Sequence, residues 1–189
     1  LEGRLAARVH HADTIESLQF YLTGMTVDTV RVDGREVSST RQDDALVIPV
    51  AAGDTARTVE IAYHGVPVQG LYARDHDGQS VIFTDSWPTR ARGWLPSVDT
   101  PSDPATFELT LDVPLGYETV GNGQQVAQDT VDQRVRTTWR LSASAPTYSM
   151  AFAVSDFAPT CTSGDGIPIC YYMLASDSAR ADELERTPE

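Results

Sequence analysis

Apolar and polar residues alternate with a period of two through much of this chain, the spacing that buries one face of a β-strand and leaves the other in water. Phe107, Leu109, Leu111 and Val113 alternate with Glu108, Thr110 and Asp112. Val59, Ile61 and Tyr63 alternate with Thr58, Glu60 and Ala62, and Val135, Thr137, Trp139 and Leu141 alternate with Arg136, Thr138 and Arg140. These patterns predict three half-buried strands, and shorter apolar runs predict others at Leu18–Leu22, Leu46–Val50, Val81–Phe83 and Tyr148–Val154. Asp33-Gly34, Asp77-Gly78, Asn122-Gly123 and Asp165-Gly166 punctuate them. Gly, Asn and Asp tolerate the positive φ that tight hairpins demand. Strands so spaced, with hairpin signals between them, predict an all-β fold, an antiparallel β-sandwich.

Only the end differs in kind. From Ser176-Asp177-Ser178 through Arg186 the chain is made of helix formers behind a capping residue, with Pro188 beyond, which predicts the start of a helix. The division expected is therefore a sandwich domain over residues 1–175 and the beginning of a second element over 176–189. Opening on Leu1 and closing inside a helical pattern, the chain reads as a segment of a longer polypeptide.

Charge narrows the partners. The formal net charge is −13, and all 14 basic residues are arginine. A nucleic acid would meet repulsion, because affinity for phosphate backbones needs basic groups that release counterions. The lysine-free, acidic composition fits adaptation to high salt and fits a biased genome equally well. No apolar run reaches the roughly 18–20 residues of a membrane-spanning helix, and Leu1-Glu2-Gly3-Arg4 does not resemble a signal peptide.

Cys161 and Cys170 flank the turn at Asp165-Gly166. With those two residues forming the turn, Gly164 faces Ile167 and Cys161 stands opposite Cys170 at a non-hydrogen-bonded site, where Pro168 also fits. A disulfide is favoured over two buried free thiols, and with it an oxidising compartment, periplasmic or secreted, over the cytoplasm.

The densest chemistry lies between Phe83 and Phe107, where two tryptophans, two arginines and four prolines share a non-repetitive stretch. Tryptophan brings buried area, arginine a planar fork for carboxylates such as Asp99 or Asp103, and proline a fixed path. Asp99 and Asp103 beside Arg90 and Arg92 read as structural ion pairs, not an acid/base pair, since paired carboxylates catalyse only when their environments separate their pKa values. Tyr148 reads as a core aromatic. The four histidines suggest no metal site: His10 and His11 are strand neighbours facing opposite ways, His64 stands alone, and Asp75-His76-Asp77-Gly78 has the composition of an exposed turn. His-Glu-x-x-His, Gly-x-Ser-x-Gly, Gly-x-Gly-x-x-Gly and Gly-x-x-x-x-Gly-Lys are all absent from the sequence. No catalytic residue and no metal ligand is expected in this chain.

Thr84, Pro88, Ala91-Arg92, Trp94, Pro96, Asp99, Pro101 and Ala105-Thr106-Phe107 follow an order that resembles the N-terminal domain of aminopeptidase N-type zinc metallopeptidases. Leu46-Val47-Ile48, Tyr63-His64-Gly65-Val66-Pro67, Gly70-Leu71-Tyr72, Val113-Pro114-Leu115-Gly116-Tyr117, Gly121-Asn122-Gly123, Trp139, Pro146 to Phe152 and Thr187-Pro188-Glu189 continue it. The resemblance implies a saddle-shaped β-sandwich packed on a separate thermolysin-like catalytic domain. That domain, absent here, would hold zinc, and this chain would supply one wall of the pocket for the peptide substrate. It further implies that Asp85 contacts substrate, at a position where the family usually has glutamine. Two outcomes stand for that departure: the carboxylate attracts a peptide ammonium, or a shorter, charged side chain displaces the loop. Ser97, where the family often has cysteine, reads as packing variation. Two other readings remain: a non-enzymatic β-sandwich interaction module, and a scaffold from a relative whose metal site has degenerated.

Overall fold

The computed structural model describes residues 1–53, 55–164 and 166–180. The chain folds into two compact units: Leu1–Tyr72 with Asp85–Ala105 and Ala145–Met150, and Ala73–Thr84 with Thr106–Ser144 and the stretch from Ala151 onward. The predicted all-β architecture is what forms, and antiparallel pairing runs throughout.

The first unit contains β1 (Glu2–His10), β2 (Ser17–Tyr21), β3 (Thr26–Val32), β4 (Arg35–Glu36), β5 (Thr40–Gln42), β6 (Ala45–Pro49) and β7 (Ala56–His64). One sheet has the order β1-β7-β3-β4 and the other β2-β6-β5. Alternation decides which residues meet: Val59, Ile61 and Tyr63 of β7, Val30 and Val32 of β3, Leu18 and Phe20 of β2 and Leu46 and Ile48 of β6 form one buried cluster with Leu22, Met25 and Val50. Each such side chain contributes roughly 1.5–3 kcal/mol when fully buried, so this cluster holds the unit together. β1 runs the full length of β7, with Gly3 opposite Tyr63. A Cβ at Gly3 would collide with the Tyr63 ring, so the absent side chain leaves room for the tyrosine to reach inward.

The second unit carries β8 (Leu71–His76, whose first two residues belong to the first unit), β9 (Gln79–Thr84), β10 (Ala105–Pro114, whose first residue belongs to the first unit), β11 (Glu118–Gly121), β12 (Gln124–Val131), β13 (Arg134–Ala145, whose last residue belongs to the first unit), β14 (Phe152–Ser155), β15 (Phe157–Gly164) and β16 (Ile167–Leu174). They form sheets ordered β10-β13-β12, β11-β14-β9-β8 and β15-β16. On β13, Val135, Thr137 and Trp139 are buried, and the Trp139 indole N–H donates to Thr119 Oγ1 at 3.1 Å. The opposite face is polar: Arg140 pairs with Glu108, Thr110 bonds Thr138, and Arg134 and Arg136 both reach Asp112. Those guanidinium hydrogen bonds hold the Asp112 carboxyl below its ordinary pKa.

Asp33-Gly34 and Asp77-Gly78 have positive φ at both residues, as tight hairpins require. Asp132-Gln133 makes the same turn without a glycine. The predicted strand Tyr148–Val154 is corrected: Thr147–Ser149 is a 3₁₀ turn, and β14 begins only at Phe152. Pro146 starts that turn, and the Ser149 N–H and hydroxyl both donate to its carbonyl, a local pairing that competes with a ladder. Ala175–Arg180 is likewise 3₁₀, where the sequence predicted the start of a helix at Ser176. The remainder of that expectation, through Arg186, lies outside the described residues. Cys161 stands opposite Cys170 in the β15–β16 pair, and the two are joined as a disulfide.

Candidate substrate-contact site

Asp85 opens the segment that carries the tryptophans and arginines, and its backbone is fixed first. Its N–H donates to the Gly70 carbonyl at 2.9 Å. Gly70 has φ +77°, and a Cβ there would overlap the Arg90 carbonyl and lie 3.1 Å from Trp94 Cδ1. Only glycine permits both the conformation and the approach. One residue therefore sets the positions of Asp85 and Arg90 relative to each other.

The side chains then lock. Arg90 Nη2 meets Asp85 Oδ2 at 2.6 Å, while Arg90 Nε donates to the Trp87 carbonyl at 2.5 Å. Asp85 Oδ1 has no hydrogen-bond partner among the described residues, and 42% of the side chain is exposed. The Trp87 indole is 60% exposed and meets the Tyr148 ring edge-on, with centroids 5.1 Å apart. Tyr148 is half-buried, so the expectation of a core aromatic is corrected. It sits on the 3₁₀ turn after Pro146, which turns it toward Trp87 and not into the main cluster.

The far end of the segment is built differently. Ser86 is buried, donates to the Met150 carbonyl at 2.8 Å and accepts from Trp94 Nε1 at 3.3 Å. Trp94 is 3% exposed, and its carbonyl accepts from the Tyr63 hydroxyl at 2.8 Å. Burial pushes the Tyr63 pKa well above the ordinary phenol value. Arg92 Nε donates to Asp99 Oδ2 at 2.6 Å with its guanidinium 4.4 Å over the Tyr21 ring, and Thr147 Oγ1 donates to Asp99 Oδ1 at 3.0 Å. The Asp99 side chain is only 1% exposed. Tyr21 and Ser97 exchange backbone hydrogen bonds, which ties the segment to β2.

Of the ion pairs expected from the sequence, Arg92–Asp99 forms. Arg90 turns to Asp85 instead, and among the described residues Asp103 is engaged through its backbone N–H, which donates to the Thr100 carbonyl. Three acids lay within reach of two arginines in sequence, and the hairpin-like return to Gly70, which no spacing reveals, selects the partner. The histidines lie apart: His64 pairs with Asp28 at 2.8 Å, His76 is 3.8 Å from Asp177, and His11 contacts the Ala12 carbonyl. Asp75 Oδ1 accepts from the Gly78 N–H, as an exposed turn requires. No group of three His, Cys, Asp or Glu side chains that could hold a metal occurs among the described residues. The segment offers a half-exposed carboxylate able to accept from an ammonium and, two residues on, an exposed indole packed against Tyr148.

Comparison with known proteins places this segment in a wider set. The chain is 31% identical over 113 residues to human (Homo sapiens) glutamyl aminopeptidase, which covers 59% of this chain and 12% of that protein. It is 31% identical over 161 residues to aminopeptidase N of Lactobacillus delbrueckii subsp. lactis, covering 78% of this chain and 18% of that protein. It thus spans less than a fifth of the length of these curated relatives. Among solved structures it shares its fold with an M1 zinc metallopeptidase of Deinococcus radiodurans, at a TM-score of 0.77 and 20% identity over 86% of this chain and 39% of that one. The aminopeptidase A of Legionella pneumophila, solved in complex with aspartic acid, gives a TM-score of 0.83 and 19% identity over 96% of this chain and 23% of that one. Residues 10–149, which include Asp85, Trp87, Arg90 and Asp99, match the Peptidase M1 N-terminal domain, and the chain belongs to that family.

Proposed function

We propose that this chain is the non-catalytic N-terminal domain of a zinc-dependent aminopeptidase, and that it forms the wall of the substrate pocket on which the peptide's α-ammonium rests. The observation that carries the reading is Asp85: within a segment matched to the family, it presents a carboxylate 42% exposed, one oxygen of which has no partner among the described residues while Arg90 fixes the other. An ammonium donates well to such an oxygen, and charge-assisted hydrogen bonds are roughly twice as strong as neutral ones. Arg90 keeps the carboxylate oriented before substrate arrives, so little ordering is left to binding.

The bond-breaking groups belong to the catalytic domain that would follow, and this chain's part is to bind and orient. The described residues hold no metal group; zinc bound in that domain supplies Lewis acidity and an activated water there. The chain's partners are then its own catalytic domain and a peptide. The disulfide between Cys161 and Cys170 supports a periplasmic or secreted protein, since such bonds persist in oxidising compartments.

The test compares the full-length protein with residues 1–189 alone. The full-length protein is expected to bind zinc and cleave aminoacyl-anilides, and residues 1–189 to cleave none. Full-length protein that neither binds zinc nor cleaves would favour a scaffold with a degenerate metal site.

A further inference from the structure

The β15–β16 hairpin forms a sheet by itself: among the described residues neither strand pairs with any other. Its prolines keep it so. Pro159 stands opposite Tyr172 and Pro168 opposite Ser163, each two positions from the Cys161–Cys170 pair and therefore at non-hydrogen-bonded sites, where a backbone N–H would point outward. A proline there removes that donor, and with one on each strand both outer edges are blunted against a further strand. A hairpin confined to two strands is marginally stable in water, so something other than a neighbouring strand must hold it.

The two halves of the hairpin are held differently. At the base the Phe157 ring meets Tyr172 edge-on with centroids 6.1 Å apart, and Gln79 joins the chain on either side of the hairpin, donating through Nε2 to Asp156 Oδ2 at 2.7 Å and accepting from the Ser176 hydroxyl at 2.8 Å. Toward the tip Cys161, Thr162, Ser163, Pro168, Ile169 and Cys170 are all exposed, and there the disulfide joins the strands. From Phe157 to Leu174 the sequence has a single charged residue, Asp165, in a chain of net charge −13, so a thiolate approaching the hairpin meets little repulsion from it. Exposed disulfides are the labile ones, open to exchange. We propose that Cys161–Cys170 is a reversible thiol–disulfide exchange site for dithiols, and that it opens and closes the hairpin tip while the base stays folded. A thiolate of the dithiol attacks one sulfur, the S–S bond breaks, and the other cysteine leaves as a thiolate and is protonated. The second thiol then resolves the mixed disulfide, so both cysteines are reduced, each taking up one of the dithiol's protons, and the dithiol is oxidised to its own disulfide. The base keeps Cys161 opposite Cys170, which makes closure by an oxidant an intramolecular step.

The experiment treats the full-length protein with dithiothreitol in the absence of denaturant, marks free thiols with iodoacetamide, and follows amide hydrogen exchange by mass spectrometry in the tip (161–170), the base (157–160 and 171–174) and β9. Reduction is expected to label both Cys161 and Cys170 and to speed exchange in the tip at least about tenfold, the scale on which a disulfide closing a short loop restrains it, with the base and β9 unchanged. Oxidised glutathione is expected to restore the protection. The double variant Cys161→Ser with Cys170→Ser is expected to exchange fast in the tip from the outset and to ignore the reductant. A bond that yields only after urea unfolding would overturn the proposal. So would a reduced tip as protected as the oxidised one, or exchange that rises alike in tip, base and β9.

Discussion

The two arginine–aspartate pairs of one segment differ in everything except their chemistry. Arg92–Asp99 has a carboxylate 1% exposed, with both oxygens engaged and the guanidinium stacked over Tyr21. Arg90–Asp85 has a carboxylate 42% exposed, with one oxygen engaged. A buried ion pair whose hydrogen bonds are all satisfied secures structure, and losing one partner strands a charge. A half-exposed pair contributes little stability, about 1 kcal/mol or less. Seven residues apart by their arginine-to-aspartate spacing in the one case and five in the other, the pairs look alike on paper. Their environments commit one to the fold and leave the other's carboxylate open to solvent.

That contrast breaks most visibly at Arg92. Arg92→Ala leaves Asp99 buried with only Thr147, and a loss of about 3–5 kcal/mol is expected in urea unfolding of the chain. Arg90→Ala is expected to cost about 1 kcal/mol or less in the same assay. Similar losses for both would erase the distinction drawn between the pairs.

Gly70→Ala comes next. Left-handed backbone costs a residue with a Cβ about 1–2 kcal/mol, and the collision with the Arg90 carbonyl adds to it. In the full-length protein the same change should lower kcat/KM on every substrate, because it moves Asp85 and Arg90 together. An unaltered unfolding midpoint would mean that the Gly70 contact does not set this segment.

Tyr63→Phe removes the hydroxyl that holds the Trp94 carbonyl, a loss of about 1 kcal/mol. It also tests a pH dependence. With the folded pKa of Tyr63 raised above the unfolded value of about 10, the stability linked to its proton is complete below pH ~10 and falls as pH rises above that. Tyr63→Phe is expected to flatten the alkaline limb of stability against pH, and an unchanged limb would place the titration elsewhere.

The smallest effect is expected at Asp112, far from either pair along the chain. Its pKa is held down by hydrogen bonds from Arg134 and Arg136, so its contribution is present above about pH 4 and fades as pH falls through the folded value. Asp112→Asn should soften the acid limb slightly at low salt and less near 1 M, where the Debye length is about 3 Å and exposed charges are strongly screened. A change that survives high salt would mean the group is more enclosed than its exposure indicates.

Strands with strict alternation were legible because burial of one face writes itself into the sequence: Val59, Ile61 and Tyr63 are buried in β7 as their spacing implies. β1 was not read, since its inward residues include Gly3 and Ala7, too small to stand out, and at Gly3 the Tyr63 ring occupies the space a side chain would need. β12 escaped for the opposite reason, being exposed along its whole length. Asp132-Gln133 turned without the glycine that marks other hairpins. Of the site, Asp85 was reached through resemblance, and the Arg92–Asp99 pair through residue type. Trp87 was read as buried area and proved exposed, because nothing local distinguishes a tryptophan that the core has room for from one that it has not.

The most direct measurement is kcat/KM of the full-length protein carrying Asp85→Asn, taken beside its thermal midpoint. Loss of one hydrogen bond to a charged group, about 1.5–3 kcal/mol, predicts a fall of roughly 10- to 100-fold with the midpoint unchanged. Full activity in that variant would contradict the assignment of this segment to the substrate.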